Sequence, residues 1–227
     1  MGTPGEQQER RQRREPATQE QQARGGRQAP ERRQARAVGT EAALKAAARS
    51  AFARLGYFNT KISDITSEAG RSAGSFYNYF QNKEALLESL ARDFLTDLET
   101  RQRTTPDHPR DLSFEHLRTH VAQYWHSYRE HLPEMVAIFQ ASMANPAFFE
   151  RWRELRDVDF DEFDELNALI GKENPRVVVS ATLSMLEFFC YVWQAAGGDP
   201  PGTELADDDA IDTLTGLLLY GLRGRPS

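Results

Sequence analysis

Residues 62–80 read Ile-Ser-Asp-Ile-Thr-Ser-Glu-Ala-Gly-Arg-Ser-Ala-Gly-Ser-Phe-Tyr-Asn-Tyr-Phe, and this stretch decides the fold. Ile62, Ile65 and Ala69 fall on one helical face, and Gly70 breaks the helix. Ser72 then stands where a side-chain oxygen can cap a second short helix, running through Tyr79. Two helices joined by so short a glycine-containing turn cross at a steep angle and form a helix-turn-helix unit. The second helix of such a unit can enter a DNA major groove with its N-terminal residues against base edges. Phe76 and Phe80, four apart, are expected to pack inward. Ala73, Gly74, Ser75, Tyr77, Asn78 and Tyr79 remain to face outward. Small residues at the leading end allow close backbone approach. Tyr77 and Tyr79 can bond phosphates or touch thymine methyls, and Asn78 can read adenine.

The flanks carry the same helical period. Thr40 is placed to cap a helix over Glu41–Leu55, with Leu44, Ala47, Ala48, Ala51, Phe52 and Leu55 as its apolar stripe, and Gly56 to end it. Asn82 is placed to cap a longer helix from Lys83, striped by Leu86, Leu87, Leu90, Phe94 and Leu98. Lys83 adds a positive charge near a helix N-terminus, where backbone N–H groups already favour an anion.

Taken together, Ala51-Phe52, Gly56-Tyr57, Thr60, Ile62, Asp64-Ile65, Ala69-Gly70, Gly74-Ser75-Phe76-Tyr77, Tyr79-Phe80, Lys83-Glu84 and Leu86-Leu87 resemble the DNA-binding signature of the tetracycline-repressor (TetR) family, in register without a gap. The resemblance covers about residues 40–90. It implies an all-α homodimeric transcription regulator: three N-terminal helices bind a palindromic operator, and a variable C-terminal domain binds a small effector. It further implies that Tyr77 and Lys83 grip phosphates, that Thr60 and Lys61 lie beside the DNA backbone, and that Ala73, Ser75, Asn78 and Tyr79 face bases. Arg71 departs from the pattern, standing where the family usually has an apolar residue. Either it points to phosphate or the turn packs differently. Together with Ser72 and Gly74 these residues make the expected DNA-binding set. Family membership favours repression relieved by the effector.

Charge is distributed unevenly. Residues 1–83 carry a balance of +7 and residues 84–227 a balance of −13, within a net −6. A polyanion would therefore be bound only by the first part. Residues 1–37 are almost all Arg, Gln, Glu, Gly, Pro and Ala with no aromatic residue, which predicts a disordered basic arm. Such an arm is either a solvated tail or a contact to DNA phosphates or a minor groove. The expected organisation is the arm at 1–37, a DNA-binding domain at 38–90, and a ligand-binding and dimerisation domain at 91–227.

The C-terminal block reads as further helices over 111–129, 133–143, 147–170, 175–196 and 207–222, which makes nine in all and no strand. Asp207 is placed to cap the last of them. The helix from Pro175 is apolar nearly all round, with Val177, Val178, Val179, Leu183, Met185, Leu186, Phe188, Phe189, Cys190, Val192 and Trp193. A helix without a polar face is buried on several sides. In a small domain a second chain must then cover one of them, so the last two helices are expected to form an isologous four-helix dimer interface. Two recognition helices would then lie about 34–36 Å apart.

The same block is rich in aromatic and sulfur side chains. Trp125, Met135, Phe139, Met143, Trp152, Phe188 and Tyr191, with His120, Tyr124, Tyr128, Gln140 and Gln194 as polar anchors, are the candidate lining of a site for a small apolar or aromatic effector. For each of them, plain core packing is the competing reading.

Other chemistries find little support. His116 and His120 are four apart, yet no third ligand accompanies them, so no metal is expected. Cys190 is the single cysteine and lies in an apolar run without a basic neighbour. The acidic run Asp157–Glu165 reads as a solvated helix face. The chain has no nucleophile elbow, phosphate loop or zincin motif, so neither enzymatic activity nor a cofactor is expected. Apolar runs fall short of a membrane span, and no signal peptide is legible, so a cytoplasmic place is expected. The alternative function is a helical small-molecule-binding or enzymatic protein whose N-terminal unit makes protein contacts.

Overall fold

The structure, a computed structural model, describes residues 15–104, 113–156 and 175–223, with side chains described over 37–103, 113–156 and 176–221. Nine α-helices and no strand are present among the described residues. They are α1 Glu15–Asn59, α2 Ile62–Glu68, α3 Ala73–Tyr77, α4 Lys83–Thr104, α5 Phe114–Glu130, α6 Leu132–Ala144, α7 Pro146–Arg156, α8 Pro175–Cys190 and α9 Asp207–Arg223. A π-helical turn, Tyr191–Ala195, extends α8.

Several ends differ from the sequence reading. The disordered arm expected to residue 37 lies outside the described residues only up to residue 14. From Glu15 the backbone is helical, so Thr40 sits inside α1 and does not cap it. The intervening segment is rich in Gln, Glu, Arg and Ala, all strong helix formers, and propensity prevails without an apolar stripe. α5 starts at Phe114 because Ser113 caps it, accepting from the His116 N–H at 3.3 Å. Asp207 is the first residue of α9 rather than its cap; its carboxylate turns instead to Arg129 and Trp125. The helix expected over 147–170 is described only to Arg156, and the Asp157–Glu165 run lies outside the described residues.

Gly56 breaks α1 as expected, at φ 73° and ψ 164°. That region of backbone space is open in practice only to glycine. Gly198, beyond the π-helical turn, is doubly constrained: its φ is 87°, and a Cβ there would lie 2.3 Å from the Thr203 carbonyl oxygen.

One apolar core runs through the molecule. Leu44, Ala48, Ala51 and Phe52 of α1 meet Ile65, Phe76 and Phe80 of the helix-turn-helix unit and Leu86, Leu87 and Leu90 of α4. Phe94 continues it into Val121, Trp125, Tyr128, Ile138, Phe148, Leu186, Ile211 and Leu214. Burial of each large side chain contributes about 1.5–3 kcal/mol. α6 packs along α1, and α9 along α5. Arg118 ties α5 to Asp208 and Asp212 of α9, at 2.8 and 2.6 Å. The small α2–α3 unit is thus seated on α1 and α4, and those two helices carry it against the rest of the chain.

Candidate nucleic-acid interface

The outward surface of α3 is built from its cap and its buried side. Ser72 accepts from the Ser75 N–H at 3.1 Å, so the cap forms as the sequence predicts. Phe76 is 0% exposed, and its ring lies 5.7 Å from that of Phe80. With that side sealed, Ala73, Gly74, Tyr77 and Asn78 are exposed, and Ser75 is half-buried. Tyr77 is 57% exposed although it is a large aromatic. Tyr79 is half-buried and packs against the core, so it presents less to a ligand than expected. The helix itself stops at Tyr77, two residues earlier than predicted.

The surrounding polar residues divide. Lys61 is exposed and begins α2, and its N–H donates to Asp64 Oδ2 at 2.8 Å. Arg71 is exposed in the turn, where its backbone N–H donates to the Thr66 carbonyl at 2.9 Å. The turn therefore closes through the Arg71 backbone and leaves the side chain outside. Thr60 is only 2% exposed: its hydroxyl donates to the Gly56 carbonyl at 2.7 Å and approaches the Ala51 carbonyl at 3.3 Å. It closes the end of α1, with its hydroxyl turned into the chain.

Lys83 is also turned inward. Its ammonium donates to the carbonyls of Tyr57 and Thr60 at 2.6 and 2.8 Å and lies 4.1 Å from the centre of the Tyr57 ring. Burial holds its pKa below the ordinary lysine value, against a smaller opposing effect of Glu84. Through these bonds Lys83 ties the end of α1 to the start of α4. The Tyr57 hydroxyl donates to Glu84 at 3.0 Å, and burial first, then Glu84, raises the phenol pKa. Asn82 caps α4 as predicted, its Oδ1 accepting from Ala85 N–H at 2.7 Å. Ser72-capped α3 is therefore clamped at both ends of its supporting loop.

The head has the form of a helix-turn-helix unit: a short capped helix exposes small and hydrogen-bonding residues on a sealed base. Residues 44–90 match the family described as "Bacterial regulatory proteins, tetR family". The HTH-type transcriptional regulator YdgC of Bacillus subtilis is 47% identical over 51 residues, 22% of this chain and 26% of that protein. The HTH-type transcriptional repressor DhaR of a Mycobacterium species is 37% identical over 67 residues, 30% and 32% of the two chains. The match thus spans about a quarter to a third of these relatives. The fatty acid degradation regulator FadR of Bacillus halodurans shares the fold with TM-score 0.66 at 19% identity, over 82% of this chain and 97% of that one. FadR of Bacillus subtilis, solved in complex with stearoyl-CoA, does so with TM-score 0.63 at 17% identity, over 79% and 97%.

The residues expected to line an effector site are dispersed. Tyr124, Trp125, Tyr128, Met135 and Trp152 are buried in the core. Trp125 Nε1 donates to Asp207 at 2.9 Å, so its polar tip is already used. Met143 is 76% exposed and stands away from that core. His120 is half-buried with its ring 4.6 Å from that of His116; burial, then His116, lowers its pKa. Among the described residues no cluster of three or more candidate metal ligands exists.

Three of the expected residues do converge. Phe139 of α6 stacks on Tyr191 with ring centres 4.8 Å apart, and Phe188 stacks on Tyr191 at 6.1 Å. Gln194, in the same π-helical turn, donates to the Trp125 carbonyl at 3.1 Å, while its buried Oε1 has no partner among the described residues. Beside this cluster a groove of about 530 Å³ is lined by Ser184, Met185, Phe188, Phe189, Val192, Trp193 and Asp199. Glu187 was missed by sequence reasoning. Arg156 bonds it at 2.6 Å, yet burial outweighs that partner and raises its pKa. A lone carboxylate inside an otherwise apolar helix was the available signal.

By length and composition, Arg176–Ala195 is apolar enough to cross a membrane, contrary to the sequence estimate. One side of it, Leu186 and Cys190, packs in the core, while Val177 and Phe188 are exposed. On α9, Leu217 and Tyr220 are exposed in the same way.

Proposed function

We propose that the protein is a dimeric, cytoplasmic transcriptional repressor that binds a nearly palindromic operator through α3 and is released by an apolar small molecule. The single observation carrying this reading is α3 itself, with Ala73, Gly74, Tyr77 and Asn78 exposed on a base sealed by Phe76 and Phe80. A helix so short, with so little polar surface to solvate, has its apolar side fully committed and leaves only its groove-reading side. Lys61 and Arg71 flank it and supply positive charge for phosphates.

The exposed apolar residues of α8 and α9 support pairing with a second copy. Burying Val177, Phe188, Leu217 and Tyr220 removes apolar surface from water without unfolding either chain. The effector class is supported by the aromatic cluster of Phe139, Phe188 and Tyr191 and by the fold shared with a regulator bound to stearoyl-CoA. A long acyl thioester combines the apolar chain such a cluster accepts with a polar end that Gln194 or Glu187 can address.

Selection from a pool of random duplexes tests the reading. A DNA-binding regulator enriches an inverted repeat, with affinity that falls steeply with salt. Stearoyl-CoA added at fixed protein concentration then lowers retention of that repeat. Recovery of no sequence above background would overturn the DNA-binding reading, and unchanged retention with stearoyl-CoA would overturn the effector class.

A further inference from the structure

The break at Gly56 leaves the Tyr57 N–H without its helical acceptor, and Gln140 of α6 supplies one, its Oε1 accepting at 3.0 Å. The same Tyr57 residue has its carbonyl held by Lys83 at 2.6 Å. The two peptide units that flank the Tyr57 Cα are therefore gripped, the first by the C-terminal block and the second by the helix that leaves the DNA-reading unit.

A second tie lies further back along the same pair of helices. Arg49 of α1 donates through Nε to Glu134 of α6 at 2.8 Å, and through Nη2 to Asp93 of α4 at 3.2 Å. Glu134 is 0% exposed, and His131 also approaches it at 2.7 Å. Arg49 lies about 9 Å along α1 before Leu55, the last residue ahead of the Gly56 break, at 1.5 Å per residue. Glu134 and Gln140 are separated by about 9 Å along α6 on the same count. Both ties advance in the same direction along the two helices. Two such points fix rotation as well as position, where one would leave a hinge.

The residue before Gln140 faces elsewhere. Phe139 stacks on Tyr191 of the π-helical turn, beside the groove and the exposed face of α8. Neighbouring residues of one helix thus hold the aromatic cluster on one side and the root of the reading head on the other. A rigid helix cannot move Phe139 without carrying Gln140 with it.

We propose that Gln140 is a positioning residue for DNA recognition: by holding the Tyr57 N–H, it sets the angle of the α2–α3 unit relative to the C-terminal block, and Phe139 links that angle to the aromatic cluster. This rests on the reading of α3 as the operator-reading helix. It also withdraws Gln140 from the set of effector anchors, since its acceptor atom is committed to Tyr57.

The test compares wild type with Gln140→Leu, which keeps the bulk but removes the acceptor, and Gln140→Glu, which restores one. Glu134 variants are avoided because stripping a fully buried, paired carboxylate threatens folding. Without DNA, amide hydrogen exchange at Tyr57 should rise at least tenfold in Gln140→Leu and stay near wild type in Gln140→Glu. With the selected inverted repeat, inserting one base pair between half-sites should weaken wild-type binding at least tenfold. It should weaken Gln140→Leu less than threefold, because a loosened head tolerates the altered spacing, and a merely stabilising residue would leave this penalty unchanged. Equal exchange at Tyr57 in all three proteins, or an equal spacing penalty in wild type and Gln140→Leu, would overturn the proposal. Failure of wild type to select any duplex would overturn the operator reading instead, and the exchange measurement would still decide whether Gln140 holds Tyr57.

Discussion

The Lys83 ammonium donates to the Tyr57 carbonyl at 2.6 Å, across 26 residues of sequence, and so closes the helix-turn-helix unit into a loop pinned at both ends. Charge-assisted hydrogen bonds of this kind contribute about 1.5–3 kcal/mol. Lys83→Met should therefore lower unfolding stability by an amount in that range, read from urea melts. It should also weaken operator binding, but without altering the salt dependence. A phosphate-contacting lysine would take about 0.9 from the slope of log affinity against log salt when removed. A reduced slope in Lys83→Met would assign the residue back to the DNA surface.

Stability and recognition should separate cleanly on α3. Tyr77→Ala and Asn78→Ala change exposed side chains and should shift stability by no more than about 0.5 kcal/mol. Each should weaken operator binding by about 1–3 kcal/mol, with the base preference altered in Asn78→Ala. Phe76→Ala should do the reverse of this at the level of folding, costing about 3–5 kcal/mol because its ring is fully buried. Parallel thermal melts and gel-shift titrations of the three variants check the division.

Association should depend on the outer sides of α8 and α9. Phe188→Glu and Leu217→Arg place charges at residues 56% and 57% exposed in the single chain, so neither should harm the fold of one copy. Together they should shift the protein from dimer to monomer in light scattering at micromolar concentration, while circular dichroism stays unchanged. A wild-type protein that is already monomeric there would refute the pairing.

Asp207 predicts a pH signature. Its hydrogen bonds with Arg129, ahead of the one from Trp125, hold its pKa at about 2 against an ordinary 3.8. A carboxylate whose folded pKa is depressed contributes stability above its unfolded pKa and loses it as pH falls through the folded one. The stabilisation is therefore full above pH 3.8 and fades as pH falls towards 2. Asp207→Asn keeps an acceptor for Trp125 Nε1 but loses the charge. Because the carboxylate is 37% exposed, solvent screening limits the effect to roughly 0.5–1 kcal/mol. Melting temperatures of the two proteins should differ at pH 7 and converge as pH approaches 2.

Much of this was legible from local sequence. The breaks at Gly56 and Gly70, the caps at Ser72 and Asn82, and the inward faces of Phe76 and Phe80 all depend on residues within one or two helical turns of each other. Periodicity carries that information directly. Residues read correctly as outward, such as Tyr77 and Asn78, are those whose neighbours along the helix are plainly apolar. Thr60 and Lys83, read as DNA contacts, have long-range or turn-level partners within the chain: the carbonyls of Gly56, Tyr57 and Thr60 itself. Backbone carbonyls are the same in every residue, so no side-chain pattern marks them as acceptors. The aromatic residues of the C-terminal block divide between core and cluster for a related reason. Periodicity places Tyr124, Trp125 and Trp152 on inward faces, but it does not distinguish an inward face that meets another helix from one that meets a cavity.

The order of residues already set the helices among the described residues, the position of α3 and the side chains it exposes, because turns, caps and amphipathic stripes depend on neighbours a few positions apart. Only the tertiary structure decided which polar side chains remain outside. Lys83 meets the Tyr57 carbonyl and Gln140 the Tyr57 N–H because the packing of α1 on α6, with Lys45 and Arg49 paired to Asp93 of α4, brings those helix ends together.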